Sequence, residues 1–213
     1  MTTGRPTVVG RWRRGQDDVG GRGILAAAGA VVVDRRGAVA IETGLAATAL
    51  LVLAVFILDV VRLIETMSRM DRVAAVTADL VARNDDVVDS TDFRNVAANN
   101  ALGAFFFAAN EIARPDDLVN DGRVIVSSIL PKAAGFDLNW QRTGPYTLTA
   151  SSQIGDLGDL PTTGNFIVSE VFFQFRPLVL DQLDLLDGFS TLLYARALYR
   201  PRMGALTSLQ PPV

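Results

Sequence analysis

Twenty-three acidic and twenty basic side chains carry most of the chemistry open to this 213-residue chain, because it contains no histidine and no cysteine. An imidazole base, a thiolate nucleophile, a thiolate metal site and a disulfide are therefore excluded. What remains is carboxylate chemistry: a paired acid and base, a cation site, or a single buried charge. Asp181, Asp184 and Asp187 sit at i, i+3 and i+6. A calcium site would use such carboxylates, but the stretch lacks the dense oxygen spacing of a dedicated cation loop. It reads as the solvated face opposite Leu180, Leu183 and Leu186. Ser–Asp pairs without histidine give no nucleophile system, and no glycine-rich phosphate loop follows a strand. A carboxylate-only mechanism needs paired acids in a cleft, whereas the acids here fall mostly in helices and turns. The sequence thus predicts no catalytic residue, no metal, no cofactor and no enzyme.

One carboxylate stands apart. Glu42 is the only charge from Ala38 through Leu58, a run of 21 residues. A hydrocarbon core asks for roughly 20 residues as a helix, so the run suits a single membrane span. A glutamate inside a span costs a few kcal/mol on insertion scales, which argues that it has a task. The plainer alternative is that Glu42 lies near enough to the helix end to return its carboxylate to the interface.

The elements that must position Glu42 follow from the patterns on either side. Residues 1 to 37 carry seven arginines against three aspartates with no helical period, as expected of a disordered cytoplasmic leader. Arg13-Arg14 is followed by Gly15-Gln16-Asp17 and not by an apolar run, so it is no twin-arginine signal. Ile24 to Val33 is apolar but too short to span. Arginines before the span and mixed charge after it place the N-terminus in the cytoplasm and the C-terminal part outside. Beyond Leu58, apolar residues from Val60 to Val81 recur at spacings of three and four, with no glycine or proline between Leu45 and Arg83. One continuous helix from about Ala38 to Arg83 is expected, roughly 69 Å long at 1.5 Å per residue.

The remaining 84–213 form the extracytoplasmic domain. Asn84 to Thr91 is a turn-rich acidic break, and Asp89, Ser90 and Thr91 are candidate N-caps for a second helix from about Asp92 to Arg114. Its Phe105-Phe106-Phe107 run is expected to fill a core. Strands are expected at Arg123–Leu130, Asp137–Arg142 and Asn165–Arg176, with a last edge strand near Tyr194–Arg202. The intervening Thr143–Asn165 reads mostly as loop with a short helix around Leu148 to Ile154, and Leu178–Leu193 as a short acidic helix or turn. A meander is the simplest order for three such strands. The fold class is α+β, a long N-terminal transmembrane helix extending into a small head with a second helix and an antiparallel sheet of three to four strands. No basic face large enough for nucleic acid is present.

The sequence Arg35-Arg36-Gly37 followed by Ala38-Val39-Ala40-Ile41-Glu42 and the apolar span resembles a TadE-type minor pseudopilin of the tight-adherence (Tad) pilus system, a branch of the type IV pilin-like proteins. In that family a prepilin peptidase cuts after the glycine and leaves the glutamate as the fifth residue of the mature chain. The resemblance implies a leader of 1–37 ending in the Arg35 and Arg36 charges, cleavage between Gly37 and Ala38, and an assembly role for Glu42. It implies a pilin-like head, location in the inner membrane with incorporation in the pilus as a further step, and a part in surface adherence. The implied partners are the prepilin peptidase, other pilin or pseudopilin subunits and the inner-membrane assembly platform. Thr43 stands where the family commonly has an aromatic residue, and no proline occurs in the span. The other class of function open to this sequence is an unprocessed single-pass envelope anchor whose outer domain binds a partner or ligand.

Overall fold

The computed structural model describes residues 35–93, 100–132, 135–156, 164–177 and 190–212. Helix α1 runs from Arg35 to Ala82, 48 residues without a break, starting slightly before the expected Ala38. The chain divides into two compact units at Val52/Leu53. In the first, every described side chain of α1 from Gly37 onward is exposed. A helix this apolar and this bare is long enough to cross a membrane. In the second unit, Leu53–Val213, the exposure of α1 changes at Asp59, which is buried. From there Met70, Val73, Ala74, Thr77, Ala78, Val81 and Ala82 recur on one buried face, the side that the three-and-four spacing marks in the sequence.

Four antiparallel strands, β1 (Gly122–Pro131), β2 (Phe136–Thr143), β3 (Phe166–Phe175) and β4 (Thr191–Tyr199), form one sheet in the order β2-β1-β3-β4. β1 and β3 are central and almost wholly buried, so each presents apolar residues to both faces. One face, with Val124, Val126, Ile167, Val171 and Phe173, packs with the buried side of α1 and with helix α2 (Leu102–Ala113). Phe105 and Phe106 enter this core, whereas Phe107 is 44% exposed, so the aromatic triplet is split by helix geometry. On the other face a smaller cluster of Ile129, Ile154 and Val168 is flanked by Phe136, Phe166 and Leu198. A four-residue helix, α3 (Leu118–Asp121), enters β1 and is capped by Asp117. That carboxylate accepts the amides of Val119 at 3.1 Å and Asn120 at 3.3 Å.

Several expectations are corrected. The meander fails because β3 pairs with β1 and not with β2, in the register Val124–Val171 and Val126–Ser169. β1 is the strand with two apolar faces and belongs in the centre, whereas β2 is half exposed and tolerates an edge. The second helix begins at Leu102, not Asp92, because Ala101 is extended and bridges Val88. Asp89 is no cap: its carboxylate takes both Nε and Nη2 of Arg142, at 2.7 and 2.6 Å. The short helix near Leu148–Ile154 reduces to one turn of 3-10 helix at Ile154–Asp156. The last strand begins at Thr191, inside the stretch expected as helix or turn, and ends at Tyr199, before Arg202. The leader 1–34 with Ile24–Val33, and the aspartates Asp181, Asp184 and Asp187, lie outside the described residues.

Candidate functional site

The residues singled out in the sequence are gathered by the first turns of α1. Gly37 and Ala38 lie in its opening turns, directly after Arg35 and Arg36. Glu42 follows Ala38 by four positions, which places the two on one helix face about 6 Å apart along the axis. All three are exposed, and Glu42 makes no hydrogen bond or ion pair among the described residues. A side chain added at Gly37 or Gly44 would meet nothing within 4 Å. The two hydroxyls nearby are hidden within the helix: Thr43 Oγ1 donates to the Val39 carbonyl at 2.8 Å and Thr48 Oγ1 to Gly44 at 2.9 Å. Such back-bonding satisfies each hydroxyl locally, so neither spoils an apolar surface. Glu42 is left as the single polar feature on the bare helix.

The head holds a second carboxylate, outside the residues singled out by sequence pattern. Glu170 is fully buried in the middle of β3. Its Oε1 accepts the Gln153 amide at 2.7 Å and the Tyr194 hydroxyl at 3.1 Å, while Oε2 accepts from Ser152 Oγ. Arg196 lies opposite it in the β3–β4 register. Burial, then the charge of Glu170, pushes the Tyr194 phenol up to about 12. The signal was visible: Phe-Ile-Val-Ser-Glu-Val-Phe-Phe is apolar on both faces, and a lone acid there must find donors. Because its acceptors are filled by donors of a loop and a neighbouring strand, Glu170 acts as a clasp for Ser152–Ile154.

A second polar cluster sits on the opposite face. Ser128 Oγ donates to the Leu206 carbonyl at 2.6 Å, Trp140 Nε1 donates to the same oxygen at 2.9 Å, and Asn165 Nδ2 reaches Ser128 Oγ at 3.1 Å. Arg202 N donates to the Ala82 carbonyl at 3.0 Å, and Gln210 N to Val87 at 2.8 Å. The C-terminal strap thereby fixes the end of α1 to the sheet. Both clusters are closed on themselves and hold the fold.

Among the described residues no group of three or more Asp or Glu side chains is placed to hold a metal ion. The chain matches no protein-family model, no curated protein and no solved structure. The inference to function therefore rests on α1 and the order of residues at its start.

Proposed function

We propose that the chain is a structural and assembly protein, a minor pseudopilin of the TadE type, cut by a prepilin peptidase between Gly37 and Ala38 and held in the inner membrane by α1, with its N-terminus cytoplasmic and its head outside. The single observation that supports this most is the course of α1. Arg35-Arg36-Gly37 opens a helix whose only charge from Ala38 through Leu58 is Glu42 and whose surface stays bare, and the same helix then becomes one wall of the head core. A bare apolar helix suits lipid before assembly and neighbouring helices after it.

Gly37 has a physical part in this scheme. Glycine is about 1 kcal/mol less favourable than alanine within a helix, so the turn holding the scissile bond opens readily for a peptidase. Cleavage would create an α-ammonium on Ala38 one turn from Glu42. In low dielectric that pair is strongly coupled, and a neighbouring subunit's amine would serve equally, which ties assembly register to one charge pair. The head then acts through its surface and not through catalysis, with other pilin subunits and the assembly platform as partners.

Co-expression with a prepilin peptidase tests the reading. Mass spectrometry is expected to find a mature N-terminus at Ala38, and Glu42→Ala to leave processing intact while impairing assembly. Persistence of residues 1–37 beside an active peptidase would overturn it, and full assembly by Glu42→Ala would point instead to an ordinary anchor.

A further inference from the structure

The level at which α1 leaves its apolar run carries an inference about lipid, and it rests on reading that run as a membrane span. Leu53–Leu58 and the head belong to one compact unit. Arg62 stands four residues after Leu58, about 6 Å further along the axis. The headgroup layer on each side of a bilayer is roughly 5–8 Å deep, half the difference between the full and hydrocarbon thicknesses. Arg62 is thus at headgroup height.

The surroundings of Arg62 mix charged side chains with Phe173 and Phe175 and leave it incompletely matched. Its guanidinium lies 6.0 Å from the centre of the Phe175 ring, and its Nη1 is buried without a hydrogen-bond partner among the described residues. Asp59 Oδ1 lies 3.9 Å from Arg62 Nη1, an ion pair too long for a hydrogen bond. Beside it is a cavity of about 260 Å³ lined by Arg62 and Arg176 together with Asp116, Asp117 and Asp121. Asp116 is paired with Arg69, and Asp121 with Arg176 at 3.3 Å. Asp117 caps α3 and accepts from the Asn120 side chain, and these hydrogen bonds hold its carboxyl below the usual range. Among the described residues the cavity therefore brings a guanidinium with one unpartnered nitrogen and several fixed carboxylates into one small space.

We propose that this cavity seats the headgroup of a zwitterionic aminophospholipid, its phosphate toward Arg62 and Arg176 and its primary ammonium toward Asp117 and Asp121. The chemistry selects among headgroups. A phosphate with no cationic arm would face the three carboxylates lining the cavity and be repelled by them. A quaternary choline headgroup carries the positive charge but has no N–H to donate. A phosphoethanolamine offers both the acceptor oxygens that Arg62 lacks and three N–H donors for the carboxylates. Bound there, it would hold the head against the bilayer surface.

The full-length chain reconstituted into vesicles of phosphatidylglycerol mixed with either phosphatidylethanolamine or phosphatidylcholine tests this. Flotation checks the span, and native mass spectrometry after extraction reads the retained lipid. The expected result is retained phosphatidylethanolamine in at least tenfold excess over phosphatidylcholine and phosphatidylglycerol, with that excess lost in Arg62→Gln. Asp121→Asn, away from the α1 wall, is expected to weaken the preference for ethanolamine over choline while keeping the Trp140 emission of the folded head. Flotation with equal retention of the lipids, a preference for phosphatidylglycerol, or a preference unchanged by both substitutions would overturn the site alone. Failure to float with either mixture would overturn the span and the site with it.

Discussion

Replacing Glu170 by glutamine keeps the shape of the side chain and removes its charge, which makes it a direct test of the β3 clasp. The carboxylate accepts from three donors, the Ser152 hydroxyl, the Gln153 amide and the Tyr194 hydroxyl. Hydrogen bonds to a charged group contribute about 1.5–3 kcal/mol each net, against about 1 for neutral pairs. Glutamine keeps one acceptor oxygen and turns an NH₂ group toward a donor. Two bonds weakened by about 0.5–2 kcal/mol each and a third of about 1.5–3 lost are partly offset by the smaller burial cost of a neutral amide, which leaves a loss of about 2–4 kcal/mol, large against a total of about 5–15. For a unit of this size that corresponds to a fall in Tm of roughly 4–16 °C. The assay is thermal or urea unfolding of the full chain in micelles, followed by Trp140 emission in a Trp12→Phe background, since the chain has only two tryptophans. Trp140 is buried and hydrogen-bonded to Leu206, so its emission reports the folded head. A loss below about 1 kcal/mol would refute the view that this carboxylate, and not the apolar cluster around Ile154, fixes the loop.

Tyr194 should make the fold sensitive to alkali. Its phenol ionises near 10.0 when unfolded and near 12 when folded, so the folded state holds the proton longer and stability falls as pH rises through that window. Tyr194→Phe is expected to flatten this part of the stability profile. The Asp89–Arg142 pair works at the other end. The hydrogen bonds from Arg142 hold the Asp89 carboxyl below its ordinary 3.8, so its contribution is present above that pH and is lost as pH falls below it. Both side chains are partly exposed, and Arg142→Ala should cost only about 1 kcal/mol at neutral pH and progressively less in acid, read by urea unfolding. Gly103→Ala would set a methyl 2.1 Å from the Asp92 carbonyl oxygen, where backbone and not a mobile side chain stands in the way. The expected loss is about 1–3 kcal/mol in the same unfolding assay, with the break before α2 as the element that yields.

How much of this was legible in the sequence varies by element. α1 was, nearly to the residue, because its apolar run and its later three-and-four spacing are local properties of one helix. β3 was legible from its β-branched and aromatic run, and β1 and β2 from theirs. The start of α2 was not: three good capping residues precede it, yet Asp89 is claimed by Arg142, 53 positions away. β4 was misjudged at both ends, since its strand state depends on the β3 register from Ile167–Tyr199 to Phe175–Thr191.

The absence of imidazole and thiol chemistry, the membrane-length run with one carboxylate, and the change from helical to strand periods are all readable in the order of residues alone. These are matters of composition and short-range spacing. Tertiary packing settles that β1 lies between β2 and β3, that Glu170 is enclosed by a loop and a strand, that the tail straps α1 to the sheet, and that, among the described residues, one nitrogen of Arg62 has no hydrogen-bond partner beside a cavity lined by charged side chains. Each of these depends on which donors and apolar faces arrive from far along the chain, and no local pattern records that.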